Sequence, residues 1–458
     1  MVNAFQPAIQ LEVVVIGAGI SGLAVAIETA LSGHHVIVFE AADGLHEIGA
    51  GINISPNASR ILRQWGLPAE LWASATHPTS LSVRRYSGEI LALEKDFDAK
   101  MRVRYDAPYI ELHRVDFQTA LYIRAKELGV EFRFGERVNQ VNFETGKITT
   151  HSGLNAKGDI VVAADGLWSV CRAQFLPKDF EGVPRPTGDL AYRLVLTLDQ
   201  IQDLELREWI SKPSLDIWLG PHSHAVGYSL RGGTEFNIVL LVPDDLPAGI
   251  SRQVGSVEEM RAHFTNWDPI LTKFIAVADS VKKWKLMHRK EMRRWVYSSS
   301  NSNFAFLGDS CHPMLPYLGQ GATSAIEDGA VLGRLLGHIQ TKEQIGKALE
   351  MYEQLRKHRG DAIVKETIVQ RDVFQIVDGP KQRERDELLL SQLNEETKHA
   401  PFPIRLLCPQ FQPWLFGYDA CAEVDKAVSK DSFVVVKDVK TEPSPDKSDI
   451  GSHRQLNG

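Results

Sequence analysis

Cysteine is scarce in this chain: Cys171, Cys311, Cys408 and Cys421 are the only four in 458 residues, far apart and without CxxC spacing. That pattern excludes a disulfide framework and a zinc knuckle and suits a reducing compartment, with buried thiols as the expectation. A basic excess is missing as well. With 51 Lys and Arg against 58 Asp and Glu the net charge is -7, so the footprint of phosphate-backbone binding is absent and no nucleic-acid partner is expected. No apolar run reaches the roughly 18 residues a bilayer span takes, and no basic stretch followed by an apolar one opens the chain. The expectation is a cytoplasmic protein with no membrane partner. Internal repeats are absent, and "GAGINI" at 49–54 lacks the third glycine of a second GxGxxG.

What is present is ordinary globular composition, 43% apolar and 24% charged, enough for two or three structural units. "LEVVVIGAGISGLAVAIETALSGHHVIVFE" reads as a β-branched strand, a glycine turn, a helix with apolar residues at Ile20, Leu23, Ala24, Ile27 and Leu31, and a second buried strand. Within this βαβ unit Gly17, Gly19 and Gly22 match GxGxxG: a tight turn, close approach of a pyrophosphate, and close helix–strand packing. Orphan N–H groups and the helix dipole draw phosphate there, and Glu40 ends the second strand where an acid bonds a ribose hydroxyl. A lone GxGxxG is a weak signal; the strand, helix and acid around it strengthen the reading, which does not separate FAD from NAD.

Two further segments have the same logic. "AADGLWSVCR" ends a buried strand in Asp165-Gly166, by itself no more than a turn. "GDSCHPMLPYLGQGATSAIEDG", Gly308 to Gly329, places Asp309 at the end of the strand "FAFLGDS" and opens a helix after Gly319-Gln320-Gly321-Ala322. A metal at Cys311 and His312 needs partners at workable spacing, and none is near in sequence; a Cys nucleophile needs a base and an electropositive pocket. A cofactor loop is the favoured reading, with Cys311 and His312 as packing.

From Asp189 to about Trp284 the chain is rich in β-type runs and reads as a separate antiparallel sheet with one helical insert. Helical periodicity returns after Gly321. The polar stretch at the end cannot bury enough apolar area to fold alone and is expected to be a disordered tail.

These motifs, in this order, resemble the class A flavoprotein monooxygenases, the family of para-hydroxybenzoate hydroxylase, and most of all its salicylate-hydroxylase-like branch and fungal secondary-metabolism relatives. The resemblance rests on GAGISG, "GAGINISPNASRIL", "LHRVDFQ", Asp165-Gly166 and the Gly308–Gly329 stretch, and covers residues 10 to 420. It implies an α/β fold: a glutathione-reductase-type FAD-binding Rossmann domain (10–80, 106–187, 286–340), an inserted antiparallel sheet for substrate (81–105, 188–285), a helical region (341–425) and the tail (426–458). It further implies FAD as cofactor, NAD(P)H as co-substrate bound without a nucleotide fold of its own, molecular oxygen, and an electron-rich aromatic small molecule that is hydroxylated or epoxidised through a flavin C4a-hydroperoxide, in phenolic polyketide or indole alkaloid metabolism. Family members are monomers or homodimers. Carried over residue by residue, Gly17, Gly19, Gly22 and Arg114 meet the pyrophosphate, Glu40 the ribose, Gly51 the cofactor, Asp309 the ribityl or pyrophosphate region, and Gly321 and Ala322 the flavin's pyrimidine end, while Asp165 and Gly166 support FAD and the reduced nicotinamide. Flavin reductases or dehydrogenases share the fold, as do, more remotely, binding proteins of the GDP-dissociation-inhibitor type.

For catalysis, alternation in "LAYRLVLTL" puts Ala191, Arg193, Val195 and Thr197 on one face and Tyr192, Leu194 and Leu196 on the other. Arg193 either points into a cavity, holding a phenolate or carboxylate, or pairs with a surface acid; the family carries an Arg on this strand. Tyr228 is either a hydrogen-bond donor to substrate or a packing residue. His46, His113, His222 and His224 are expected to be solvated.

Overall fold

The computed structural model describes residues 7–45, 50–177, 183–393 and 402–434. Strand β1 (Glu12–Ile16), helix α1 (Ile20–Leu31) and strand β2 (His35–Phe39) form the expected unit, with β1 and β2 parallel. Val13, Val14 and Val15 are buried because both faces of a parallel sheet are covered, and Leu23, Ala24 and Ile27 of α1 are buried in the same core. The sheet has six strands in the order Val296–Ser298, Asn303–Phe306, Ile160–Ala163, β1, β2, Glu131–Arg133. All pairs are parallel except the edge hairpin that ends in Asn303–Phe306. All three glycine-bearing segments therefore leave from the carboxyl edge of one sheet, the side on which such sheets gather ligands.

A second sheet of eight strands runs in the order Arg252–Gly255, Val281–His288, Arg185–Thr197, Glu235–Pro243, Ser223–Leu230, Ser214–Gly220, Ser80–Arg85, Ile90–Lys95. It is antiparallel save for one pair: Ser80–Arg85 arrives from earlier in the chain and joins Ser214–Gly220 in parallel. The alternation around Arg193 holds. Tyr192, Leu194 and Leu196 pack under the helices Leu204–Ser211, Val257–His263 and Pro269–Val277, while Ala191, Leu215, Ile217, Tyr228 and Leu241 share the opposite face. The segment after Ile90–Lys95 is a helix, Phe97–Tyr105, seated by buried Phe97 and Met101 one turn apart.

Strand β3 (Gly51–Ile54) pairs antiparallel with Ile110–His113 as a small ribbon that meets the second sheet. The helix Ile345–Phe374 and the segments after it close the structure. The tail begins later than residue 426: the helix Ala420–Lys430 runs through that position, with Val424 and Phe433 buried in the first core and Ala427 and Val428 packed against it. Apolar residues at these spacings cover the helices below, which the polar character of the flanking sequence hid. The remaining tail, 435–458, and His46 lie outside the described residues. Among the described residues no helix is long and apolar enough to cross a membrane.

Candidate active site

Gly17 sits at φ 103° and donates its N–H to the Phe39 carbonyl at 2.8 Å, closing the turn from β1 to α1. A side chain on Gly22 would collide with the Gly17 carbonyl, whereas the place of a side chain on Gly19 is open, with nothing within 4 Å. No side chain caps the first turn of α1, so its N–H groups are available to an anion. The Glu40 carboxylate accepts from the N–H of Ala18 at 2.7 Å and of Ala42 at 2.8 Å, which fixes it beside that turn.

The helix Gly321–Gly337 likewise has no side-chain cap at its N-terminus. Gly329 and Gly333 lie against the backbone of α1 at Ala24, Val25 and Thr29, where any side chain would strike. Two uncapped helix N-termini are thereby held side by side. They open into a cavity of about 380 Å³, lined at one end by Gly19, Arg114, Gly166, Asp309, Gly321 and Ala322 and at the other by Arg193, Tyr228 and His224, with Gly51 between them. Gly17, Gly22, Glu40 and Asp165 stand behind this lining and shape it.

Asp165 accepts from the Cys171 N–H at 3.0 Å through one oxygen; the other, Oδ1, is buried with no hydrogen-bond partner. Arg172, from the same segment, donates to the carbonyls of Cys311 at 3.2 Å and Lys290, so the second motif is clasped to the third. Burial pushes the Asp309 carboxyl up, and the positive charges of His312 and Arg114 pull it back.

Beneath the Gly321 helix runs a buried ionic network. His312 Nε2 lies 2.5 Å from Asp328, Arg356 Nε donates to Asp328 at 2.8 Å, Glu327 meets Arg356 at 2.7 Å and Arg359 at 3.0 Å, and Tyr418 stacks on Arg359. Burial opposes ionisation throughout, but the partners outweigh it: Asp328 falls to about 2 under His312 and Arg356, and His312 rises well above its ordinary value under Asp328 and Cys311. Three cations against two carboxylates leave net positive charge under this helix's first two turns. His312 is therefore an ion-pair partner and not mere packing. Asp328 supplies the third potential metal ligand beside Cys311 and His312 that sequence spacing could not reveal. Burial pushes the Cys311 thiol up, His312 is already paired, and Arg356 adds a positive charge, so the arrangement is that of an ion pair, not a metal centre.

At the far end, Arg193 stands over the Trp284 ring at 5.4 Å, and the Tyr228 ring covers Gly51. Burial keeps Tyr228 protonated, Arg193 pulling the other way. His113 and His224 are buried, against the expectation of solvation; His222 is exposed. His224 lines the cavity between Tyr317 and Phe374, burial holds it near 3, and its Nδ1 lies 3.4 Å from the Gln375 amide. Its signal was its place four residues before Tyr228 on one strand, an even spacing that puts both on one face. Tyr317 donates to Asp189 at 2.6 Å, and Arg371 holds the same carboxylate; nothing in the local sequence joined these three.

A continuous cavity from two helix N-termini to an apolar sheet face defines a flavoprotein site, and comparison agrees. Residues 10–367 match the family model of the FAD binding domain. The chain belongs to that family, as one of the class A FAD-dependent monooxygenases, and FAD is its cofactor. It is 46% identical to the FAD-dependent monooxygenase OpS4 of Beauveria bassiana over 92% of this chain and 97% of that protein. It is 32% identical to 3-hydroxybenzoate 6-hydroxylase of Polaromonas naphthalenivorans over 77% and 86%. The crystal structure of CtdE with FAD and a substrate superposes with a TM-score of 0.74 at 23% identity, covering 92% of this chain and 98% of that one, a likeness of fold. The residues present fit FAD: the space beside Gly19 is open to a bulky group, and both helices present uncapped N–H groups of the kind that bind phosphate or an anionic ring.

Proposed function

We propose that this enzyme hydroxylates a phenolic aromatic small molecule, with NAD(P)H as reductant and molecular oxygen as the oxygen source. The observation that carries the proposal is the single cavity joining the cofactor end to the sheet face of Arg193, Tyr228 and His224. Relatives point the same way: one is a 3-hydroxybenzoate 6-hydroxylase, another a 3-amino-4-hydroxybenzoate 2-monooxygenase.

Bound FAD supplies the electron transfer and oxygen activation. The chain's part is to bind, orient and exclude water. Gly17, Gly19, Gly22 and Arg114 would hold the pyrophosphate, Glu40 the ribose, Gly51 and Asp309 the middle of the cofactor, and Asp165 and Gly166 would support the cofactor and the reduced nicotinamide. Gly321 and Ala322 would set the N-terminus of their helix, with the net positive network beneath it, against the flavin's pyrimidine end, where it favours negative charge. Arg193, steadied on Trp284, attracts a phenolate or carboxylate. The Tyr228 hydroxyl, kept protonated, donates to a substrate oxygen, and neutral His224 adds a second polar contact in an apolar wall. That wall, with Leu215, Ile217, Val226, Val239 and Leu241, selects a flat apolar ring and keeps water from it.

The test is a panel of phenols and hydroxybenzoates scored for stimulated NAD(P)H oxidation and a product heavier by one oxygen. Oxidation without such a product across the panel overturns the reading in favour of a flavin reductase.

A further inference from the structure

Glu111 is fully buried on the strand Ile110–His113, and neither of its carboxylate oxygens has a hydrogen-bond partner among the described residues. It is not isolated in this. Asn53 Oδ1, Asn237 Nδ2 and His113 Nδ1 are also buried without partners, and these residues are neighbours: Asn53 stands opposite Glu111 and Gly51 opposite His113 across the ribbon, and directly opposed residues share a face. Asn237 accepts from the Gly51 N–H at 2.8 Å and stands opposite Tyr228, whose ring covers Gly51. Leaving such atoms unsatisfied costs free energy, so native interiors fill such clusters with ordered water.

The cluster has two ends. Inward, Tyr109, Asn53 and Tyr228 line the cavity. Outward, His113 lies 4.0 Å from Asp116, which grips Arg231 through two hydrogen bonds of 2.8 Å, the two side chains being 30% and 39% exposed. Thr76, paired through its backbone with Glu111, accepts from the Gly232 N–H at 3.1 Å.

We infer that Glu111 is the proton-holding station of a water-bridged path from the surface at Asp116 and Arg231 to the Tyr228 hydroxyl in the cavity. The inference rests on the monooxygenase reading, because that reaction consumes a proton: substrate, O2, NAD(P)H and one proton from solvent become hydroxylated product, NAD(P)+ and water. A proton arriving through the waters reaches one Glu111 oxygen as the proton on the other passes to the Tyr228 oxygen and the Tyr228 hydroxyl gives its own proton into the cavity, so Glu111 and Tyr228 both end as they began and no residue changes oxidation state. The titratable groups that face Glu111 include Tyr109 just before its strand, His113 two residues on along the same face, Tyr228, and Asp216 from Ser214–Gly220. Burial, with the charge of Asp216 adding to it, raises the carboxyl well above its ordinary value and so favours its protonated form. Glu111 acts through Tyr228 and is a positioning residue for the proton.

The test uses the FAD-loaded enzyme and the isosteric Glu111→Gln, with Glu111→Asp as the rescue. In infrared difference spectra between wild type and E111Q, a carboxylic-acid band that shifts in D2O is expected from wild type alone. E111Q is expected to keep its flavin and its KM for the aromatic, to lose turnover by about a hundredfold and to show an enlarged solvent isotope effect; E111D recovers part of the rate. An E111Q enzyme with wild-type turnover and isotope effect overturns the inference, as does a wild type lacking the exchangeable band, which decides the matter even if E111Q does not fold. A wild type that oxygenates nothing defeats the monooxygenase reading instead, and the infrared band still reports on Glu111.

Discussion

Tyr228 of the substrate sheet fills the space that a side chain on Gly51 of the cofactor ribbon would occupy. Gly51 is thus a glycine for contact reasons: it brings the phenol of one unit against the backbone of the other, where the two ends of the cavity meet. Gly51→Ala must displace the ring. Since a misplacement of about 1 Å can cost on the order of a hundredfold in rate, product formed per NAD(P)H consumed should drop sharply while thermal stability changes little. A variant with wild-type coupling removes Tyr228 from the reaction.

Arg193 places a positive charge at the sheet face of the cavity. Arg193→Ala should retain FAD and its reduction by NAD(P)H and lose hydroxylated product, by about 10–100-fold if one charged hydrogen bond of roughly 1.5–3 kcal/mol is removed. Arg193→Lys keeps the charge without the planar fork and should recover only part of the loss. Unchanged product formation in both excludes Arg193 from substrate binding.

How much of this was legible beforehand differs from residue to residue. The periodicity of β1, α1 and β2 and the alternation around Arg193 are local, and both units followed from them. Gly17, Gly22 and Glu40 act within some twenty residues of one another, so their arrangement was readable too. The neighbours of His224 and Glu111 come from strands and helices far apart in sequence, and the Asp328–His312 pair, though only 16 residues apart, depends on the loop between them folding back; a buried histidine or glutamate reads as a surface residue until its neighbours are known. The helix that carries Val424 through residue 426 was hidden by its polar outer face.

The network under the Gly321 helix should be costly to break. Asp328→Asn leaves His312 and Arg356 with one fewer counter-charge in a dry site and should destabilise the fold by about 3–5 kcal/mol, measured by denaturant unfolding. The sign with pH follows from the shifts. Depressed to about 2, Asp328 contributes stability that is present above the unfolded carboxylate value and is lost as pH falls toward 2. Raised His312 contributes stability that is fully present below about 6.5 and is lost as pH rises through its elevated folded value.

His224 has the opposite sign from His312. The unfolded chain takes a proton there below about 6.5, the folded one only near 3, so acid favours unfolding by up to about 1.4 kcal/mol per pH unit between them. His224→Gln should flatten the fall in unfolding free energy between pH 6.5 and 4.5 by about one proton. An unchanged slope means His224 is not held neutral.

The most direct test of the whole account is incubation of the FAD-loaded enzyme with NAD(P)H, a phenolic substrate from the panel and 18O2, followed by mass spectrometry of the organic product. The cavity and its residues predict one 18O atom in a new ring hydroxyl, formed in step with NAD(P)H consumption. Reductant consumed with no labelled product from any phenol or hydroxybenzoate would contradict it.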